Sequence, residues 1–543
     1  MTNNLTMAAT TLRALNTAIG TINITDTGSL IVGGNILYTD GLGTEINTIN
    51  LDGGLLDMTA GSIGAAAAIV TLNAQRGTLQ NLAQLNGGAG LVKTTAGTLI
   101  LEGINTYTGG TTINGGTLQV GSGGGTGTLG IGEVTNNATL AFNRNNNLIV
   151  DNLINGGGQL VQAGSGSTTL IAANGYTGAT LLNAGVLSVD LLADGGISSG
   201  IGASAADAAN LVFSGGTLRY TGGTTSTNRN FTISAGQTGT IDVASASAKL
   251  AWSGVSAATN GSLQKTGAGT LTLTNNSTPY AHTGGTTVSA GTLNAASGVV
   301  VQGSLNVSAG GTLSAGANTT NGDNNNGVGV LTVSSASNSV WSSGSSFVFD
   351  FAVADRGTGA PTDGTSWDYM HFGGGGGLAL DASGGSYVIS LRSWNGSVYG
   401  INNFNPADTT TVDMTGQEPT PQSVNYRWLW VDIDAIAGGT LTGFGITAGE
   451  SNGALSQFLF DTSALQVPGG VANGYFWVSA YDNNLYVNYS AVPEPGSLLL
   501  VGLAGLGLAV HRRRKRRLAA AGEVAAAESA IAGNTIAEDV AKG

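Results

Sequence analysis

Carboxylates, hydroxyls and imidazoles are the groups with which a chain lacking Cys could run a reaction, and here few of them stand in reactive spacing. Asp432 and Asp434 lie two apart in "WVDIDAI", so on a strand they share one face. Paired carboxylates of that kind serve glycoside or polysaccharide cleavage. Asp350, Asp355, Asp363 and Asp368 cluster nearby, but only Arg356, Arg392 and Arg427 occur between 341 and 490 to assist lyase chemistry. A solvated strand face and polar loops account for these acids equally well. Gly196 to Gly200 reads G-x-S-x-G, yet a nucleophile elbow needs a strand before, a helix after and a His partner. The three His fall elsewhere: His282 in a repeat, His371 in "WDYMHF" and His511 in a terminal stretch. Gly125 to Gly130 reads G-x-G-x-x-G without the helix pattern that would hold a pyrophosphate. In a chain with 90 Gly such matches arise by chance. Asp323 and Asn324 to Asn326 offer oxygens to Ca²⁺, but with one carboxylate among them a plain turn explains them as well. The expectation is a non-enzyme with no catalytic residue, cofactor or metal ligand.

The densest chemical pattern lies near the C-terminus, where "PEPGSLLLVGLAGLGLAVHRRRKRR" runs from 493 to 517. Pro493, Glu494 and Pro495 precede an apolar run containing Leu498, Leu499, Leu500, Val501, Leu503, Leu506, Leu508 and Val510. Arg512, Arg513, Arg514, Lys515, Arg516 and Arg517 follow without a break. A spanning helix needs about 20 residues, so a run from 498 to 510 is short. Counting from Gly496 and letting the Arg side chains snorkel gives a transmembrane segment of about 496–511. The basic run stays cytoplasmic by the positive-inside rule, which places residues 1–492 outside the membrane. That placement requires export. Between Met1 and Thr25 there is one Arg and no sustained apolar core, so this stretch does not read as a signal peptide. The true start is therefore expected upstream; the alternative is a vestigial tail on a protein that stays inside.

Composition narrows the body of the chain. Only 9% of the 543 residues are charged, against about 25% in ordinary proteins. Pro is too rare for collagen, and 41% hydrophobic residues are too many for a disordered chain. Residues 1–511 carry 11 Lys and Arg against 27 Asp and Glu, a net −16. A body so balanced lacks the cationic face that neutralises phosphates, so no nucleic-acid partner is expected.

Three segments repeat: 90–120, 158–189 and 261–293. Each has an early Leu, a Thr-Leu pair, a Tyr (Tyr107, Tyr176, Tyr280) before Thr-Gly, and a Gly-x-Leu ending. In the third, Ala281 and His282 read as an insertion after the Tyr. "TLILEG", "TTLIAA" and "TLTLTN" alternate at the two-residue period of a half-buried strand, and the Gly steps mark turns. One such strand cannot bury its own apolar face; stacking successive coils does, which is the logic of a β-solenoid. Weaker units extend the pattern over 20–335, roughly a dozen coils of 20–30 residues. The Tyr is expected to cap the core at a corner. Near residue 340 aromatic residues take over, and six of the seven Trp lie in 341–490. Large side chains close a compact core, so 336–490 reads as a separate aromatic-rich β domain or a thickened cap.

The repeats resemble the autotransporter-associated β-strand repeat, or passenger-associated transport repeat, through Leu263, Lys265, Gly267, Gly269, Thr270 and Leu271. The match is looser at Leu91 and Lys93, and the Lys is replaced at Gln162. The resemblance implies a right-handed parallel β-helix in an exported, surface-displayed protein. Residues 493–517 resemble the PEP-CTERM sorting signal, which implies an exosortase-type membrane peptidase as partner and surface polysaccharide as a further one. Residues 518–543 depart from that pattern as an Ala-rich extra tail.

The expected organisation is all-β. Residues 1–19 form a cap or leader remnant and 20–335 the β-helix. The β domain occupies 336–490, the sorting signal with one short transmembrane helix 491–517, and the tail 518–543. The expected function is that of an exported structural protein, held transiently in the cytoplasmic membrane. The alternative is an adhesin or carbohydrate-active β-helix with 341–490 as its ligand-contact part.

Overall fold

A computed structural model describes residues 4–7, 11–14, 21–38, 47–317, 329–351, 368–381, 386–393, 426–433, 441–442, 458–461, 474–481 and 484–491. Among them the only helical element is one 3₁₀ turn, Ala208–Asn210. The rest is strand and turn, arranged in two eleven-stranded sheets, one of eight, one of six and two of four.

Consecutive strands fall on different sheets in rotation. Val134–Asn136, Thr139–Phe142 and Leu148–Val150 are followed by Ile154–Asn155, Gln159–Gln162 and Ser167–Leu170. Val134 pairs with Ile154, Leu140 with Leu160 and Leu148 with Thr168, so one coil here spans 134–153, and the pairing is parallel. The Leu–Thr alternation of the sequence dictates this. Leu99, Leu118, Leu140 and Leu160 stack in register with no exposure, and the residues between them point outward. Each buried Leu contributes roughly 1.5–3 kcal/mol relative to exposure. At ~4.8 Å between strands, an eleven-stranded sheet is ~50 Å long.

The turns need Gly at one recurring place. Gly116, Gly185 and Gly291, the Gly of each Gly-x-Leu ending, have φ of +66°, +55° and +63°. A Cβ there would collide with carbonyl oxygens of the neighbouring coil: Gly97 and Thr95 for the first, Gly166 and Gly164 for the second, Gly267 and Gly269 for the third.

The ladders run through the composition change near 340. Leu313 pairs with Phe347 and Phe347 with Ile389, while Leu331 pairs with Met370 and Met370 with Val431. Coils here are longer: one spans 331–369. The interior here is filled by rings. Trp341 lies 4.0 Å from Phe347 and 5.6 Å from Trp430, and Trp430 lies 5.7 Å from Phe458. The stack closes on a hairpin. Asn484–Ala491 pairs antiparallel with both Tyr426–Ile433 and Gly474–Tyr481, the only antiparallel pairings between the described strands. The hairpin extends the six-stranded sheet beyond its parallel strands, while among the described residues the neighbouring sheets end at Leu441–Thr442 and Phe458–Asp461.

Candidate functional site

The repeat residues that are not Leu, Thr or Gly hold the turns. In "LVK" (91–93) and "SLQKT" (262–266), alternation puts Lys93 and Lys265 on the inward side with Leu91 and Leu263, and both Lys are fully buried. Lys265 Nζ donates to the carbonyls of Thr266 (2.6 Å), Gly267 (2.9 Å) and Ala290 (3.1 Å). Lys93 Nζ donates to Thr95 O and to Gly115 O (3.3 Å). Each ammonium thus ties a turn to the same turn one coil on. Burial pulls the Lys265 pKa down to about 8, and that of Lys93 down as well. Gln162 takes this seat in the middle repeat, and its Nε2 reaches Gly164 O (2.9 Å) and Gly166 O (3.3 Å).

The Tyr-Thr-Gly element is a second tie. Tyr107 and Tyr176 are buried, and each hydroxyl lies 2.8 Å from the Thr four residues on, Thr111 and Thr180. Two residues earlier, Asn105 and Asn174 also point inward. Their Oδ1 atoms accept the backbone N–H of Leu82 (3.1 Å) and Ile154 (2.9 Å) in the preceding coil. In the third repeat the structure corrects the sequence alignment. His282 is not an insertion but sits in the tyrosine's seat, its Nε2 2.8 Å from Thr286 Oγ1. Tyr280 occupies the asparagine's seat and donates to Trp252 O (2.8 Å). Ser256 Oγ lies 2.8 Å from His282 Nδ1, and burial lowers the imidazole pKa to about 4, so the ring is neutral at pH 7. This hydroxyl–imidazole pair is buried and reaches no substrate.

Among the described residues the candidate catalytic groups are not brought together. Ser198 of the G-x-S-x-G stretch is exposed on a loop, and the next element is the 3₁₀ turn rather than a helix packed under a nucleophile. Ser199 is buried and donates to Gly202 O (2.8 Å). Gly125–Gly130 is a loop between two strands. The Asp368 carboxylate is spent on the fold, accepting the N–H groups of Gly329 and Asp350, both at 2.9 Å. Asp432 lies opposite His371 in register, but its side chain is outside the described residues. Asp355, Asp363, Asp434, Asp323 and the adjoining Asn are outside them too, as is the entire stretch from Pro493 to Arg517 with its expected helix. Among the described residues no three His, Asp or Glu converge as a metal site, and no helix is long and apolar enough to cross a membrane.

Sequence reasoning missed Arg229, which is buried without a carboxylate partner in hydrogen-bond reach. Its guanidinium donates to Ala193 O (3.0 Å), Ser204 O (3.1 Å), Ser204 Oγ (2.9 Å), Asp194 O (3.3 Å), Ile197 O (3.3 Å) and Gly202 O (2.8 Å). It staples the long loop between Val186–Val189 and Leu211–Phe213. No signal near Arg229 marks this, because its partners all lie between Ala193 and Ser204, a full coil upstream.

Residues 91–120, 160–189 and 263–295 match the passenger-associated-transport-repeat, and the three matches carry the Lys, Gln and Tyr or His seats just described. Three segments of the stack are passenger-associated transport repeats. Residues 491–515 match the PEP-CTERM protein-sorting motif, beginning at the last residue of the closing hairpin. The chain is also similar to the adhesin BmaC autotransporter of Brucella suis biovar 1 (strain 1330). The two are 36% identical over 312 residues, 50% of this chain. The match spans 9% of that relative's length.

Proposed function

We propose that the chain is an exported structural passenger of the cell surface, a β-helical stalk delivered through its sorting motif. The single observation that carries this reading is the junction at Ala491. A parallel stack ending in its own antiparallel hairpin passes, after Val492 alone, into Pro493, Glu494 and Pro495. In this reading Leu498 to Val510 lie transiently in the cytoplasmic membrane, with Arg512 to Arg517 on the cytoplasmic side. An exosortase-type peptidase then acts near Pro493–Pro495. The role is structural, since the Lys, Gln, Asn, Tyr and His seats of the repeats hold turns and neighbouring coils together. Display for adhesion is the second reading, favoured by the similarity to an autotransporter adhesin. The test replaces Pro493, Glu494 and Pro495 by Ala in the producing cell. Loss of protease-accessible protein from intact cells is expected; unchanged surface exposure would overturn the sorting reading.

A further inference from the structure

One corner of the stack is unlike the Thr, Asn and Gly surface around it. Ile131, Ile149, Ile171 and Leu191 are 71%, 67%, 51% and 42% exposed and sit on four consecutive coils. The coils are tied directly. Leu148–Val150 pairs with Thr168–Leu170, the N–H of Ile171 donates to Val150 O, and Leu170 pairs with Val189. Ile131 and Ile149 line one open cleft of about 280 Å³ together with Asp151 and Leu129. The side chains form a staggered patch rather than one row: Ile149 lies opposite Thr169, and Ile171 follows Leu170, the partner of Val150, so it sits one coil on and two positions further along. Ile197, 58% exposed, lies on the neighbouring loop that Arg229 staples through its carbonyl.

The rim of the patch is acidic: Glu133, Asp151, Asp190 and Asp194 are all exposed. The ion pairs among the described residues lie elsewhere, Arg76 with Asp26 and Asp52, and Arg219 with Asp242. We propose that this corner docks a cationic amphipathic segment of another protein, its apolar face on the Ile patch and its Lys or Arg on the four carboxylates. The same rim repels anionic lipid and nucleic acid. The described stack of a second copy offers no matching cationic face. Lys93, Lys265 and Arg229 are buried, Lys249 is half-buried and already engaged, Arg76 and Arg219 are ion-paired, and Arg144 is tied to the carbonyls of Gly125 and Gly127. Such docking does not depend on how the chain is sorted.

The experiment titrates the full chain with a labelled helical peptide of about 18 residues, Leu on one face and Lys on the other, followed by fluorescence anisotropy. A Leu/Glu peptide of the same pattern is the control. Expected is saturable binding of the Leu/Lys peptide, weakened ~10-fold or more by Ile131→Ser/Ile149→Ser/Ile171→Ser. These positions are exposed, and an unchanged thermal melt verifies the fold. Asp151→Asn/Asp190→Asn is expected to weaken binding severalfold and flatten its salt dependence. Equal binding by the triple variant, equal binding of the Leu/Glu peptide, or a wild-type dimer that the triple variant dissolves would each overturn the proposal.

Discussion

The coils between Leu91 and Ala317 and those between Gly329 and Ala491 share one plan but are held in different ways. In the first region a coil can be as short as 134–153, and Leu fills its interior. Specificity there comes from the corners, where Lys, Gln, Asn, Tyr and His bind the backbone and hydroxyls of their own and neighbouring coils. In the second region a coil lengthens to 331–369, and Trp341, Phe347, Phe372, Trp430 and Phe458 fill the space.

The contrast between the two regions should break most visibly at the largest side chains. Trp341→Ala should cost about 3–5 kcal/mol, as aromatic truncations in cores do. Nearest-neighbour coupling confines the damage, so hydrogen exchange should rise across 329–491 and stay unchanged before about residue 290. Uniform loosening would show that the two regions are not separately held.

Next in size is the buried cation. Lys265→Met should cost about 1.5–3 kcal/mol, because three carbonyls lose a charged donor, and Lys265→Gln, copying the middle repeat, should cost less. With the folded pKa near 8 and the unfolded value at 10.5, the unfolded chain binds more protons between these limits. Wild-type stability should therefore gain over that window relative to Lys265→Gln, measured by urea unfolding.

Gly116→Ala or Gly291→Ala should cost about 1–3 kcal/mol through positive φ alone, with the carbonyl collision added. Gly223→Ala, where a Cβ meets nothing within 4 Å, should be close to neutral by thermal melt.

How much of this was legible depended on range. The Leu–Thr alternation is local, and it announces strands and stacking. That a Lys occupies an inward seat and satisfies itself on carbonyls is not local, since Ala290 O comes from the next coil. The exchange of Tyr for His282 was hidden because Tyr280, two residues earlier, kept the appearance of the motif. The aromatic shift was plain, but continuity of the ladders across it is fixed by pairings such as Leu313 with Phe347, which are distant in sequence. The sorting residues were legible as a pattern in sequence, and their placement lies outside the described residues.

A further effect, confined to acid pH, concerns that exchange. His282 has a folded pKa near 4 and an ordinary value of 6.5, so its contribution is complete above pH 6.5 and is lost as pH falls toward 4. Its ring faces Ser256, Thr286 and Phe231, none of them ionised. His282→Tyr, which restores the repeat residue, should flatten the acid side of the stability profile. A variant as acid-sensitive as wild type would move the cause elsewhere.

The central claim is that the stack is delivered to the surface by the segment after it. Mass mapping of the C-terminus of the protein recovered from the surface of the producing cell tests this most directly. The predicted result is a form that retains all of Asn484–Ala491 and ends between Ala491 and Pro495. An intact 543-residue chain confined to the cytoplasm, or a surface form cut inside the hairpin, would contradict it.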